Sequence, residues 1–130
     1  FVQRSVLDRV LALLVERAEN IKVDLPDAQG AQMGPLASFG HREHVESYIQ
    51  AALGEGGTTL FGGKRPQGSA LQQGAFLQPT VITGLDNTAK AVQEEIFGPV
   101  LCVLPFDTEE DLIEQANDSM FGLASGLAYC

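Results

Sequence analysis

Glu94 and Glu95 stand side by side, with the ring of Phe97 two positions on and Gly98-Pro99 directly after it. A carboxylate can accept hydrogen bonds from two neighbouring hydroxyls, and an aromatic ring can lie against a flat heterocycle. Gly98 and Pro99 bend the segment that carries both groups. Together they suit a ribose joined to a planar base. The same residues also fit a helix end followed by a Phe that packs into a core. Spacing alone leaves both open.

Other constellations point away from self-contained chemistry. Gly54-x-Gly56-Gly57 and Gly62-Gly63 lack the spacing of a dinucleotide fingerprint and the G-K-[ST] ending of a phosphate loop, so they read as a helix end and a turn. His41 and His44 lie three apart on one helical face, with no third residue spaced to complete a metal site. Asp107, Glu109, Glu110 and Asp111 form an acidic helix start that the macrodipole favours. No serine sits in a G-x-S-x-G context, and no catalytic triad can be assembled. The expectation is a chain with no catalytic residue and no metal ligand of its own.

Charge narrows the partners. Eight Lys and Arg against 17 Asp and Glu give a formal net charge of −9, which repels phosphate backbones and anionic lipids. Neither nucleic acid nor a membrane is expected as a partner. No apolar run approaches the ~20 residues of a membrane span. Cys102 lies in the apolar run Val100 to Leu104 and reads as a small buried hydrophobe; with Cys130 it makes neither a disulfide framework nor a zinc site. A reducing compartment follows, cytoplasmic or mitochondrial. The chain opens on Phe1 and closes on the apolar run Gly126 to Cys130, so both ends read as cuts through strands of a longer protein.

The elements that must position these groups alternate between strand and helix. Phe1 to Gln3 reads as the tail of a strand. A helix capped by Ser5 follows, with Val6, Leu7, Val10, Leu11, Leu14, Ala18 and Ile21 on one face at a 3.6 period. A loop spans Asp24 to Pro35, and Ser38 opens a second helix that Gly54, Gly56 and Gly57 end. Thr58 to Phe61 is a short strand, 64–75 a polar loop, Phe76 to Ile82 a β-prone stretch and Thr88 to Glu95 a short helical lead-in. Val100 to Phe106 reads as a buried strand. Asp107 and Glu110 then begin a capping-box-like helix start, and that helix ends by Asn117-Asp118. A last strand is expected over about Ala124 to Tyr129. The pattern predicts an α/β fold with a largely parallel sheet flanked by helices.

Four segments, in order and at matching spacing, resemble the catalytic domain of the NAD(P)-dependent aldehyde dehydrogenases. They are Phe1-Val2-Gln3; Gln32-Met33-Gly34-Pro35-Leu36-x-Ser38; Gln78-Pro79-Thr80-Val81 followed by Glu94 to Val100; and Ala116-Asn117-Asp118-x-x-Phe121-Gly122-Leu123-Ala124. The resemblance covers essentially the whole chain. It implies that residues 1–130 are part of that catalytic domain, truncated at both ends. The nucleotide-binding domain and the nucleophilic Cys segment would lie upstream.

The resemblance also implies roles. Glu95 matches the carboxylate that takes the nicotinamide ribose hydroxyls, and Phe97 the aromatic packed beside it. Leu123 matches a residue lining the nicotinamide pocket. His44 falls where many relatives place a Lys near the adenosine ribose, and His41 where many place a Gln. The implied cofactor is NAD or NADP, and the implied substrate a small aldehyde. In the family a cysteine thiolate attacks the aldehyde, hydride passes to the nicotinamide, and an activated water releases the acid. The intact protein would be a homodimer or homotetramer, and the chain alone would be inactive. Ser38-Phe39-Gly40-His41-Arg42 and the run through Asn117-Asp118 are similar to betaine-aldehyde and aminoaldehyde dehydrogenases. The competing expectation is a non-catalytic homologue that keeps the fold for assembly.

Overall fold

A computed structural model describes residues 1–128. Strand β1 (Val2–Gln3) leads into helix α1 (Leu7–Glu19), then α2 (Phe39–Gly54), β2 (Thr58–Phe61), the one-turn α3 (Ser69–Gln72) and β3 (Thr80–Thr83). The one-turn α4 (Lys90–Gln93), β4 (Val100–Val103), β5 (Pro105–Phe106) and α5 (Glu109–Asn117) complete the order. This is the expected α/β alternation.

In the main sheet β3 is central. It runs parallel to β4, with Thr80 opposite Val100 and Thr83 opposite Val103. It runs antiparallel to β2, which forms the other edge. A second, two-stranded sheet pairs β1 with β5 in parallel, Val2 opposite Pro105. The sheet expected to be largely parallel is therefore mixed at its β2 edge. A parallel pair needs a long crossover, and the β3–β4 connection is where α4 and the Glu94–Pro99 segment lie.

Side-chain alternation along β3 builds a core on each face. Ile82 points to α2, where Val45, Tyr48, Ile49 and Ala52 join Leu77, Leu85 and Ile96. Val81 points the other way, with Val103, onto Leu7, Leu11, Leu14 and Ala18 of α1. Val45 and Ile82 are fully buried; each contributes about 1.5–3 kcal/mol of apolar burial. Arg42 is also buried, its guanidinium donating to the Gly74 carbonyl at 2.9 Å and lying over the Phe39 ring. That contact fastens α2 to the stretch leading into β3.

Ser38 caps α2 as the sequence predicts: its hydroxyl accepts from the His41 N–H at 3.0 Å. Ser38→Ala is expected to cost about 1 kcal/mol. It should lower the denaturant midpoint without changing the slope, and an unmoved midpoint would remove the cap from the account.

Several expectations need correction. Ser5 does not cap the first helix; residues Arg4–Val6 form a 3-10 turn, and Val6 sits at the cap without a side-chain bond. Arg4 is held there by a two-pronged contact to Asp107, at 2.6 and 2.9 Å. The expected broad apolar face is also incomplete, since Val6 and Ile21 are not buried in it. The 64–75 loop contains α3, and the strand within 76–82 begins only at Thr80.

The expected strand over 100–106 is two. The chain breaks at Leu104, whose carbonyl accepts from the Val2 N–H at 2.9 Å, so β5 pairs with β1 in the other sheet. Pro105 has no N–H with which to continue the first ladder. Leu101 on edge strand β4 is exposed. The cap of α5 is Thr108, whose hydroxyl accepts from the Asp111 N–H at 3.2 Å, while Asp111 accepts from the Asp107 N–H at 3.0 Å. The sequence had the reciprocal logic but placed it one residue early. Residues 124–128 form no strand, having no neighbouring strand to pair with; Tyr129 lies outside the described residues.

Candidate functional site

The segment from Glu94 to Pro99 runs along α2 and is fastened at successive points to that helix and to β3. Glu94 leaves α4 in extended conformation and accepts from the Tyr48 hydroxyl at 2.5 Å. Ile96 is buried in the α2 core. The Phe97 carbonyl contacts His41 Nε2 at 2.5 Å. Gly98 lies flat on Val45: a Cβ there would stand 2.5 and 2.7 Å from the two Val45 methyl carbons. Finally the Pro99 carbonyl accepts from the Thr80 N–H of β3 at 2.8 Å.

With Glu94 tied to Tyr48 and Ile96 buried, Glu95 and Phe97 are turned out. Both are exposed, Phe97 to 72%. Among the described residues the Glu95 side chain has no hydrogen-bond or ion-pair partner within the protein, so its carboxylate is available to an incoming donor. Phe97 has φ 53, and no other non-glycine residue described has a positive φ. A bulky residue in that region costs on the order of 1–3 kcal/mol and persists only where its surroundings impose it. Here they are His41 on its carbonyl, the buried Ile96 before it and the pinned Gly98 after it.

Tyr48 is itself contacted from two sides. The His44 ring meets it edge-on at 4.9 Å between centroids, and the Lys90 ammonium lies 4.8 Å from its ring centre. The hydrogen bond to Glu94, then burial, push the Tyr48 phenol above its usual value. His44 thus reaches Glu94, the neighbour of Glu95, through Tyr48. Leu123 is 94% exposed on the stretch after α5. The root of that stretch is tied to α4 through Asp118, whose carbonyl accepts from Gln93 at 2.8 Å. The structure therefore brings Glu95, Phe97 and, indirectly, His44 into one region, and leaves Leu123 on a separate arm.

Three features escape the sequence reading. Tyr48 is one, although its place seven residues from His41 and four from His44 puts all three on one helical stripe, a signal that could have found it. The second is the bond from His41 to the Phe97 backbone. The third is Phe1, which lines a cavity of about 360 Å³ together with Glu94, Phe97, Gly98 and Cys102. Cys102 is half-buried, with its thiol pushed up by burial and 3.6 Å from the Ala91 carbonyl. That is the environment of an inert thiol. No three His, Cys, Asp or Glu side chains cluster as metal ligands among the described residues, and no helix is long and apolar enough to cross a membrane.

Comparison with known proteins gives a consistent answer. The 2-aminomuconic 6-semialdehyde dehydrogenase of a Pseudomonas species is 47% identical over 126 residues, covering 96% of this chain and 26% of that protein. The betaine aldehyde dehydrogenase of Brucella ovis is 42% identical over 127 residues, covering 98% and 26%. The crystal structure of betaine aldehyde dehydrogenase from Staphylococcus aureus in complex with NAD+ superposes with a TM-score of 0.90 at 44% identity, over 94% of this chain and 24% of that one. An aldehyde dehydrogenase from Bacillus cereus gives a TM-score of 0.91 at 42% identity, over 98% and 25%. The chain spans about a quarter of the length of these relatives. The Aldehyde dehydrogenase family profile matches residues 1–128, and the chain accordingly belongs to the aldehyde dehydrogenase family, whose members oxidise aldehydes with NAD(P)+.

Proposed function

We propose that this chain is the nicotinamide-positioning portion of an NAD(P)-dependent aldehyde dehydrogenase. The observation that carries the proposal is the outward presentation of Glu95 beside Phe97, on a backbone held in the left-handed region. A ribose offers a carboxylate the two hydroxyls it can accept, and Glu95 has no competing internal partner. Phe97 supplies an apolar face for the base or sugar beside it. These residues fit the cofactor, which when bound accepts hydride from the aldehyde carbon. His44 and Leu123 would lie at the margins of the same cofactor.

This chain's own part is to bind and orient. Among the described residues Cys102 is the free cysteine, and it is half-buried with its thiol pushed up by burial, which favours a nucleophile supplied from elsewhere in the full-length protein. The cavity joining Phe1 to Glu94 and Phe97 supports an upstream nucleophile, because residues just ahead of Phe1 would be delivered beside the nicotinamide end of the site. The substrate would be a small aldehyde, with the betaine- and aminoaldehyde-type relatives as the leading guide. A homodimeric or homotetrameric enzyme in a reducing compartment, cytoplasmic or mitochondrial, completes the proposal.

The 130-residue chain by itself is expected to show no aldehyde-dependent NADH formation. Full-length protein carrying it is expected to turn over betaine aldehyde or an aminoaldehyde. Turnover by the isolated chain would refute the division of labour. A full-length protein that binds no NAD(P)+ and oxidises no aldehyde would favour the non-catalytic homologue.

A further inference from the structure

We infer that His41 and Tyr48 are positioning residues that set the outward pose of Glu95 and Phe97, with α2 acting as the template. The inference rests on the proposed site and adds what holds that site in shape. The left-handed backbone at Phe97 decides where its ring points, because moving φ to the ordinary negative region swings the Cα–Cβ bond and the adjoining peptide. The His41 ring meets the carbonyl of that peptide at 2.5 Å. A carbonyl only accepts, so His41 must carry its proton on Nε2. On the other side of Glu95, the Tyr48 hydroxyl holds Glu94 against α2. Glu95 is then bracketed, with the residue before it and the peptide after Phe97 both tied to one helix.

Both ties are themselves fixed. The Ser38 cap anchors the turn bearing His41, while Lys90 and His44 hold the Tyr48 ring. Between them Val45 blocks any inward movement of Gly98. The spacing of 41, 45 and 48 is one helical stripe, so a single straight element sets all three contacts. Neither His41 nor Tyr48 needs to touch the cofactor for its loss to be felt there.

The test uses full-length protein carrying this chain, with NAD+ as the probe. His41→Met keeps side-chain length without a donor, His41→Gln keeps a donor, and Tyr48→Phe removes only the hydroxyl. His41→Met and Tyr48→Phe are each expected to raise the calorimetric NAD+ Kd and the NAD+ KM about three- to tenfold, the size of one hydrogen bond. The KM for aldehyde should not move, and His41→Gln should return NAD+ binding to within about twofold of wild type. In unliganded wild type, imidazole ¹⁵N shifts should report the Nε2–H tautomer, a readout that needs no variant to fold. An Nδ1–H tautomer, or a lowered melting temperature with unchanged NAD+ Kd, would overturn the inference. If Glu95→Gln weakens NAD+ while His41→Met and Tyr48→Phe do not, the positioning role falls and the site stands. If Glu95→Gln is also silent, the site falls and takes the positioning role with it.

Discussion

Glu95→Gln in the full-length protein is expected to lower kcat/KM for NAD+ by about 10- to 100-fold, the worth of one strong charge-assisted hydrogen bond. Gln keeps the shape and one acceptor oxygen but loses the charge and the second acceptor, so it can no longer receive both hydroxyls of a ribose as a carboxylate does. The folded state should hardly notice. Glu95 is exposed and has no partner within the protein among the described residues, so the melting temperature should stay at the wild-type value. That separation makes the variant informative: cofactor kinetics move and stability does not. Unchanged kinetics at every NAD+ concentration would remove Glu95 from the site. A large loss of stability would show that its carboxylate has an internal role.

The second large effect is structural. Gly62→Ala is expected to destabilise the fold by more than about 3 kcal/mol, from overpacking and backbone strain together. A Cβ at Gly62 would lie 1.9 Å from the Pro79 carbonyl oxygen and 2.9 Å from the Thr80 Cα, and φ is 79. The obstacle is backbone, which cannot swing aside like a side chain. Against a total stability of about 5–15 kcal/mol the loss is severe. It also reaches the site, because Thr80 is the residue whose N–H holds the Pro99 carbonyl. Gly54→Ala is the matched control, since nothing lies within 4 Å of the added carbon. Denaturant unfolding of the pair decides the point. A Gly62→Ala midpoint equal to that of Gly54→Ala would refute the close approach.

Local chemistry was legible where it acts locally. The Ser38 cap and the glycines at its far end announce α2, and Thr58–Phe61 is bounded by glycines on both sides. The turn reading of Gly62-Gly63 agrees with their positive φ values of 79 and 69. The failures share a cause. Ser5 is chemically a good cap, but the turn around it tightens where Arg4 meets Asp107, a residue 103 positions away. The apolar run from Val100 onward has nothing in it to say that Leu104 will leave one sheet for another. Residues 124–128 carry no β-branched or aromatic side chain and have no partner ladder, and extended conformation without a neighbour leaves the backbone groups unpaired.

The sequence by itself determined the α/β class, the helix that frames the site, and the Glu94–Val100 segment as the place where recognition chemistry is concentrated. It did so through capping, periodicity and the types of residue present, which depend on neighbours a few positions apart. Only the tertiary structure decided that Glu95 and Phe97 face outward without internal partners while Glu94 is tied to Tyr48 and Ile96 is buried. It also decided that Phe97 adopts a left-handed backbone, and that His41, 56 positions earlier, meets its carbonyl. A φ of that sign on an aromatic residue is unfavourable taken alone, so no local rule would assign it. It exists because a distant helix, packed against the crossover between β3 and β4, leaves that segment no other course.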